Sequence, residues 1–158
     1  MTIISHRGNL DGPNIAYENK PAYIENAIYE GFHVEVDLRT HNGKLFLGHD
    51  EVQYGVAIGW LFKHSSHLWI HCKDVKSLET CLKTDKLRCF FHENERHTII
   101  SNKLIWTHDI KEALPTSIIP LIDEKLAGNV FFEKYSHVHG ICTDYANYYN
   151  SLMNTRKD

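Results

Sequence analysis

The chain has 158 residues, of which 42% are hydrophobic and 23% charged, with a formal net charge of −3. This composition is typical of one soluble globular domain, which we place at residues 1–158. The small negative charge gives no bulk attraction to nucleic acid or to an anionic membrane, so any phosphate binding must be local. We find no signal peptide, membrane span or CxxC pair, and this favours a cytoplasmic protein with reduced thiols.

Strand and helix patterns alternate along the chain. The predicted strands are residues 2–6, 32–38, 44–49 (a hairpin arm after Asn42-Gly43), 68–73, 88–92, 98–101, 104–107, 117–122 and 140–143. Four helices are predicted. The first starts at Asn19 or Lys20 and ends at Gly31, the second covers 56–62, the third follows a cap at Asp74, and the fourth closes the chain at 145–153. Residues 154–158 are predicted to be a frayed polar tail.

The order of these elements predicts an α/β fold. A strand, a helix and a second strand form a βαβ unit with parallel pairing, and eight of the predicted strands are barrel strands. Because a full barrel normally needs roughly 250 residues, we predict a compressed or incomplete TIM-type (β/α)8 barrel with reduced outer helices. An open sheet with fewer strands is the alternative. The sequence leaves open whether a second copy of the chain, in a homo-oligomer, replaces the missing helices.

Glu35 and Asp37 lie on one face of the second strand, where they alternate with apolar residues. Two carboxylates on one face form a hard oxygen site of the kind that holds Mg²⁺ or Ca²⁺. A lone Glu-x-Asp pair is more often the exposed side of a strand, but both faces of a parallel barrel strand are covered, so that charges there need partners.

Polar residues on two further strands extend this pattern. His71 and Lys73 share one face of the strand at 68–73, and His6-Arg7 ends the first strand. The carboxyl ends of barrel strands converge on one face of the molecule. We therefore expect His6 and His71 to lie beside the two carboxylates, with Lys73 near enough to contact phosphate.

The motifs together resemble the glycerophosphodiester phosphodiesterase family, which also includes the related venom phospholipases D. The matching residues are His6-Arg7-Gly8, Glu18-Asn19, Ala27, Gly31, Glu35-x-Asp37, Thr40-x-x-Gly43 and His49-Asp50, and more weakly His71-x-Lys73, Trp106-Thr107 and Gly140-Ile141-Cys142-Thr143-Asp144. The similarity spans nearly the whole chain and is most specific in its first 50 residues.

The resemblance implies a barrel enzyme that cleaves a small phosphodiester with one divalent cation. By position, His6 and His49 become the general acid/base pair, and Glu35, Asp37 and His71 become metal ligands. The resemblance also assigns phosphate or substrate binding to a further set of residues, namely Arg7, Lys73 and Trp106.

Two departures from the family pattern leave other hypotheses open. His71 stands where the family has an acidic residue, so Mn²⁺ or Zn²⁺ becomes plausible beside Mg²⁺ and Ca²⁺. The chain is also short for this fold. A non-catalytic phosphodiester-binding module that has lost efficient turnover is therefore the second hypothesis, and a zinc hydrolase without an HExxH motif is a weaker third. For Asp144 and the pair His92-Glu93, structural or solvated roles are the simpler expectation.

Overall fold

The computed structural model describes residues 1–122 and 124–155. The strands are β1 (Thr2–His6), β2 (His33–His41), β3 (Lys44–Leu47), β4 (Tyr54–Val56), β5 (Leu68–Cys72), β6 (Cys89–Phe90), β7 (His97–Ile99), β8 (Ile105–Thr107), β9 (Ser117–Pro120) and β10 (Gly140–Thr143). The helices are α1 (Pro21–Tyr29), α2 (Ile58–Lys63), α3 (Val75–Leu82), α4 (Gly128–Tyr135) and α5 (Ala146–Thr155), with a 3₁₀ turn at Ile110–Glu112.

Local sequence signals explain the ends of two helices that are next to the site strands along the chain. Pro21 occupies the first turn of α1, where a missing backbone N–H costs nothing, and Gly31 follows the helix with a φ of 91°. The side chain of Asp74 caps α3 by accepting a hydrogen bond of 2.8 Å from the backbone N–H of Ser77. These signals place both helices where the sequence predicts them.

The ten strands form one mixed sheet. Parallel pairs give the order β6-β5-β2-β1-β10-β9-β8, and β3 and β4 add an antiparallel arm to β2. Strand β7 pairs with β8 in antiparallel orientation. The predicted α/β fold is confirmed, but the prediction that eight strands belong to a parallel barrel is wrong for β7, because a short hairpin replaces a crossover helix there.

The sheet curls, so that strands far apart in its order contact each other. Phe90 on β6 and Trp106 on β8 stack with ring centroids 4.5 Å apart, although five strands separate them along the parallel pairs. One core cluster lies inside the curl and consists of Ile4, Trp69, Phe90, Ile100, Trp106, Ile118 and Cys142. Two further clusters lie between the outer side of the sheet and the helices. The predicted reduction of outer helices is confirmed between β6 and β9, where only the 3₁₀ turn occurs among the described residues.

Several boundaries differ from those predicted. The predicted helix at 56–62 begins later, at Ile58, because Tyr54–Val56 pairs with β3 as an additional strand. Helix α4 was not predicted at all. Of the predicted polar tail, residues 154 and 155 continue α5, and residues 156–158 lie outside the described residues. Among the helices that the structure describes, none combines the length and the apolar run needed to cross a membrane.

Gly48, which joins β3 to His49, requires a glycine. Its φ is 151°, and a Cβ atom there would lie 2.1 Å from the carbonyl oxygen of Glu51. We therefore expect Gly48→Ala to lower the free energy of unfolding by about 1–3 kcal/mol, as strained backbone positions do. Urea denaturation would measure this. Gly59→Ala in α2 is the control, since an added Cβ there meets no atom within 4 Å, and unchanged stability in both variants would contradict the prediction.

Candidate active site

The polar side chains predicted to converge come from three adjacent strands. In the sheet register, His6 on β1 is opposite Glu35 on β2, and Asp37 on β2 is opposite His71 on β5. Side chains in register on neighbouring strands point to the same face, so these four groups meet at the carboxyl end of the curl. All four are at most 8% exposed. The site is therefore a buried cluster of ionisable groups, as the alternating pattern in the sequence predicts.

Glu35, Asp37 and His71 are placed to hold a metal ion. One ligand atom from each lies within 4.8 Å of the other two. The His71 Nδ1 atom is 3.3 Å from Asp37 Oδ1 and 3.7 Å from Glu35 Oε1. Neighbouring ligands of a six-coordinate Mg²⁺ or Ca²⁺ are roughly 3.0–3.4 Å apart, so the two distances from His71 Nδ1 would need to change only slightly around a bound ion.

The hydrogen bonding of these side chains supports the fit of a cation. Glu35 Oε2 and Asp37 Oδ1 are buried and accept no hydrogen bond in the part of the chain that the structure describes. Buried carboxylate oxygens without partners are costly, and a bound cation would satisfy them. The donor set of two carboxylates and one imidazole suits a divalent ion.

The two carboxyl groups have pKa values shifted in opposite directions. Burial, and then the charge of Asp37, raises the pKa of Glu35 to about 7. Burial also acts to raise the pKa of Asp37, but the neighbouring His71 ring, the charge of Arg7 and the amide of Asn19 outweigh it and hold that pKa well below its usual range. Two adjacent carboxylates thus share the site as one ionised and one readily protonated group.

These shifts predict how metal affinity depends on pH. Asp37 is already ionised at neutral pH, and burial lowers the pKa of His71 although Asp37 opposes it, so Glu35 is the ligand that must lose a proton. We expect the apparent affinity for a divalent ion to fall about tenfold per pH unit below about 7 and to level off above that value. Calorimetric titration well below and well above this pH measures the change in affinity. An affinity that stays the same across that range would contradict the prediction.

His6 is held by an acidic residue that directly follows the last strand. Its Nδ1 atom lies 2.8 Å from Asp144 Oδ1, and its Nε2 atom lies 4.0 Å from Glu35 Oε2. The Asn9 amide donates a second hydrogen bond of 2.8 Å to the same Asp144 oxygen. Burial acts to lower the pKa of His6, but the hydrogen bond to Asp144 and the charge of Glu35 outweigh it, and the pKa is raised. Nδ1 is therefore fixed, and Nε2 faces the centre of the site.

Arg7 and Asn19 adopt left-handed backbone conformations beside the carboxylates, with φ values of 54° and 61°. Arg7 Nε lies 2.8 Å from Asp37 Oδ2 without the alignment of a hydrogen bond, and its Nη1 donates to Glu18 at 3.1 Å. Asn19 donates to Asp37 Oδ2 and accepts from the Asp37 backbone N–H, both at 2.9 Å. Because strained residues persist only where their surroundings hold them, this wall of the site is rigid.

The remaining predicted residues lie at different depths. Lys73 Nζ is 3.8 Å from Asp37 Oδ1. His49 is partly exposed, its Nδ1 atom is 2.8 Å from Asp50, and it lines a cavity of about 410 Å³ together with Arg7 and Asn19. The structure therefore brings His49 to the same rim as Arg7. Trp106, in contrast, is 4% exposed and lies inside the curl, so its predicted contact with substrate stays a prediction.

The sequence favours simpler roles for two residues that contact this cluster, His92 and Asp144. The His92 ring stacks on His71 with centroids 4.4 Å apart, and His71 stacks on Phe90 at 4.9 Å. Asp144, for which a structural role was expected, holds a site histidine from 138 positions away. No local pattern signals such a contact. The position of Asp144 directly after the last strand, where carboxyl ends converge, is the one signal that could have found it.

Comparisons with known proteins identify the fold. No protein-family model and no curated protein sequence matches the chain. A solved structure similar to it is a glycerophosphodiester phosphodiesterase from Thermotoga maritima, with a TM-score of 0.58, 14% identity, and coverage of 96% of this chain and 98% of that chain. Another is a phosphodiesterase from Oleispira antarctica in complex with the product sn-glycerol-3-phosphate, with a TM-score of 0.55, 13% identity, and coverage of 98% and 97%. The chain therefore has the fold of glycerophosphodiester phosphodiesterases, as the resemblance in its sequence predicts.

Proposed function

We propose that this chain hydrolyses small phosphodiesters, and glycerophosphodiesters in particular, in a metal-dependent reaction. The observation that carries the proposal is the buried group of Glu35, Asp37 and His71, with the Nε2 atom of His6 facing it. The fold shared with two phosphodiesterases, one of them bound to sn-glycerol-3-phosphate, supports a small glycerol-containing substrate.

Glu35, Asp37 and His71 would hold one divalent cation. Such a cation would neutralise the negative charge of the phosphodiester and polarise one of its oxygens. Two carboxylates favour Mg²⁺ or Ca²⁺, and the imidazole of His71 makes Mn²⁺ or Zn²⁺ acceptable as well.

His6 and His49 are the proposed general acid/base pair. The pKa of His6 is raised, which favours the protonated form of its ring and suits Nε2 to protonate the leaving alcohol. The ring of His49 lies at the open rim, where water or a substrate hydroxyl can reach it and lose a proton to it. This division of roles follows from the burial of one ring and the exposure of the other.

Arg7 and Lys73 would bind the phosphate oxygens. Both cations lie beside Asp37, and Arg7 also lines the rim cavity. Fixed positive groups at the position where negative charge develops stabilise the transition state. Trp106 stacks on Phe90 with ring centroids 4.5 Å apart and would line the substrate pocket.

The test is hydrolysis of bis(p-nitrophenyl) phosphate and of glycerophosphocholine by metal-stripped protein, with Mg²⁺, Ca²⁺, Mn²⁺ or Zn²⁺ added back separately. We expect release of product only after an ion is added, with the preferred ion giving the highest rate. Phosphorus NMR of the products distinguishes direct hydrolysis from attack by a neighbouring substrate hydroxyl, which leaves a cyclic phosphate. Release that is insensitive to chelator and to added ions would contradict the proposal.

The same experiment tests the binding-module hypothesis, which His71 motivates. Folded protein that binds glycerophosphocholine in calorimetry but releases no product with any of the four ions would favour a module without turnover. Product formation that depends on a metal excludes it.

A further inference from the structure

Three of the four cysteines meet at one point on the outer side of the sheet. Cys72 on β5, Cys81 on α3 and Cys89 on β6 each have their sulfur within 4.8 Å of the other two. All three are at most 2% exposed and are free thiols. The cluster lies behind the candidate active site, because Cys72 points to the face of β5 opposite to that of His71.

The fold brings these thiols together from separate elements. Strands β5 and β6 are parallel neighbours, and Cys89 is opposite Ile70 in their register. Helix α3 covers both strands and places Cys81 above them. Apolar packing explains why single cysteines are buried, since a thiol behaves as a small hydrophobic group, but it gives no reason for three at one point.

The geometry of the cluster suits a thiophilic metal ion. A Zn²⁺–thiolate bond is about 2.3 Å long, so three sulfurs around one ion are roughly 3.8–4.0 Å apart. The upper limit of 4.8 Å on the sulfur–sulfur distances lies within about 1 Å of that spacing. Sulfur ligands select soft ions such as Zn²⁺ and Cu⁺ over Mg²⁺ and Ca²⁺.

We propose that Cys72, Cys81 and Cys89 form a structural binding site for one thiophilic metal ion, Zn²⁺ or Cu⁺, separate from the candidate active site. Each thiol that binds the ion releases its proton to solvent. The bound ion would fasten α3 to β5 and thereby hold the strand end that carries His71 and Lys73.

The test uses the whole chain with Co²⁺ as a spectroscopic substitute for Zn²⁺, and with Cu⁺ under anaerobic conditions. Thiolate ligands give an intense near-ultraviolet charge-transfer band, which a site of carboxylates and imidazole cannot give. We expect one equivalent of bound ion to produce this band in the wild type. The matched variants are Cys81→Ala and Cys142→Ala, because both side chains are 0% exposed and Cys142 belongs to the separate core cluster inside the curl.

Loss of the band in Cys81→Ala with retention in Cys142→Ala supports the proposal. Which of the two ions, Co²⁺ or Cu⁺, produces the band identifies the class of ion that the site binds. Absence of the band in wild type with both ions, or an unchanged band in Cys81→Ala, overturns it. If Cys81→Ala does not fold, the rates at which the wild-type cysteines are alkylated in mild denaturant test the proposal instead. Bound Zn²⁺ or Cu⁺ should then slow the modification of the three cluster cysteines about tenfold or more relative to Cys142, and equal rates overturn the proposal. This inference does not depend on the proposed phosphodiesterase activity.

Discussion

Replacing His6 by alanine is expected to lower kcat/KM for phosphodiester hydrolysis by roughly 10²–10⁴-fold, the usual contribution of a general acid or base. The ring is held by Asp144 at 2.8 Å and presents Nε2 to Glu35, so that the variant loses a positioned proton donor. The measurement is steady-state hydrolysis at saturating metal, with circular dichroism to verify folding. His33→Ala is the control, since the half-buried His33 is the first residue of β2 and its ring contacts His67 and Trp69. Equal activity in both variants would exclude His6 from catalysis.

Asp144→Asn tests whether His6 is positioned and charged as the structure indicates. Asparagine keeps the shape of the side chain but removes the negative charge that helps to raise the pKa of His6. If His6 acts as the acid, it must be protonated, so activity is lost as the pH rises through its pKa. We therefore expect the alkaline limb of the pH profile to move to lower pH in Asp144→Asn. A purely structural role of Asp144 would lower stability without moving that limb.

Much of the site could be predicted because it depends on short-range periodicity. Glu35 and Asp37 alternate with Val34, Val36 and Leu38, and this period of two fixes which face each residue occupies. His71 follows the same rule on the neighbouring strand. Because the carboxyl ends of parallel strands converge, this pattern predicts that the four ionisable groups lie together, without any knowledge of distances.

The rest depends on contacts that no local pattern encodes. Helix α4 begins with Gly128 and Asn129, which are poor helix formers, and it is held by burial of Phe131 and Tyr135 against the sheet. By contrast, the antiparallel direction of β7 was predictable, because the predicted strands at 98–101 and 104–107 are too close for the crossover that a parallel pair needs. The stacking of His92 on His71 depends on the register of β6 against β5, which sets Phe90 opposite His71 and which the sequence alone does not give.

We expect Glu35→Gln and Asp37→Asn each to abolish specific metal binding and metal-dependent hydrolysis. Each substitution replaces a charged ligand oxygen at a site where the three candidate ligands already lie within 4.8 Å of one another. Calorimetric titration of metal and the hydrolysis assay measure the two losses. Glu25→Gln is a matched control, because Glu25 hydrogen-bonds Trp60 on the outer side of the molecule. Metal binding by Glu35→Gln with the affinity of the wild type would rule out Glu35 as a ligand.

The two variants should differ in the stability of the metal-free protein, which separates loss of a ligand from loss of the fold. The pKa of Glu35 is raised from 4.5 to about 7, so the free energy of unfolding falls as the pH rises between these values and stays reduced above them. Glu35→Gln removes that loss and should stabilise the metal-free chain above pH 7 by on the order of 1–3 kcal/mol. The pKa of Asp37 is lowered, so its ionised form stabilises the fold above its ordinary pKa, and Asp37→Asn also removes the ion pair between Arg7 and Asp37. Asp37→Asn should therefore destabilise the chain at the same pH. Urea denaturation in the presence of chelator measures the stability of both variants. If both variants are destabilised, then the ionised Glu35 does not lower the stability of the metal-free chain, and the prediction is wrong.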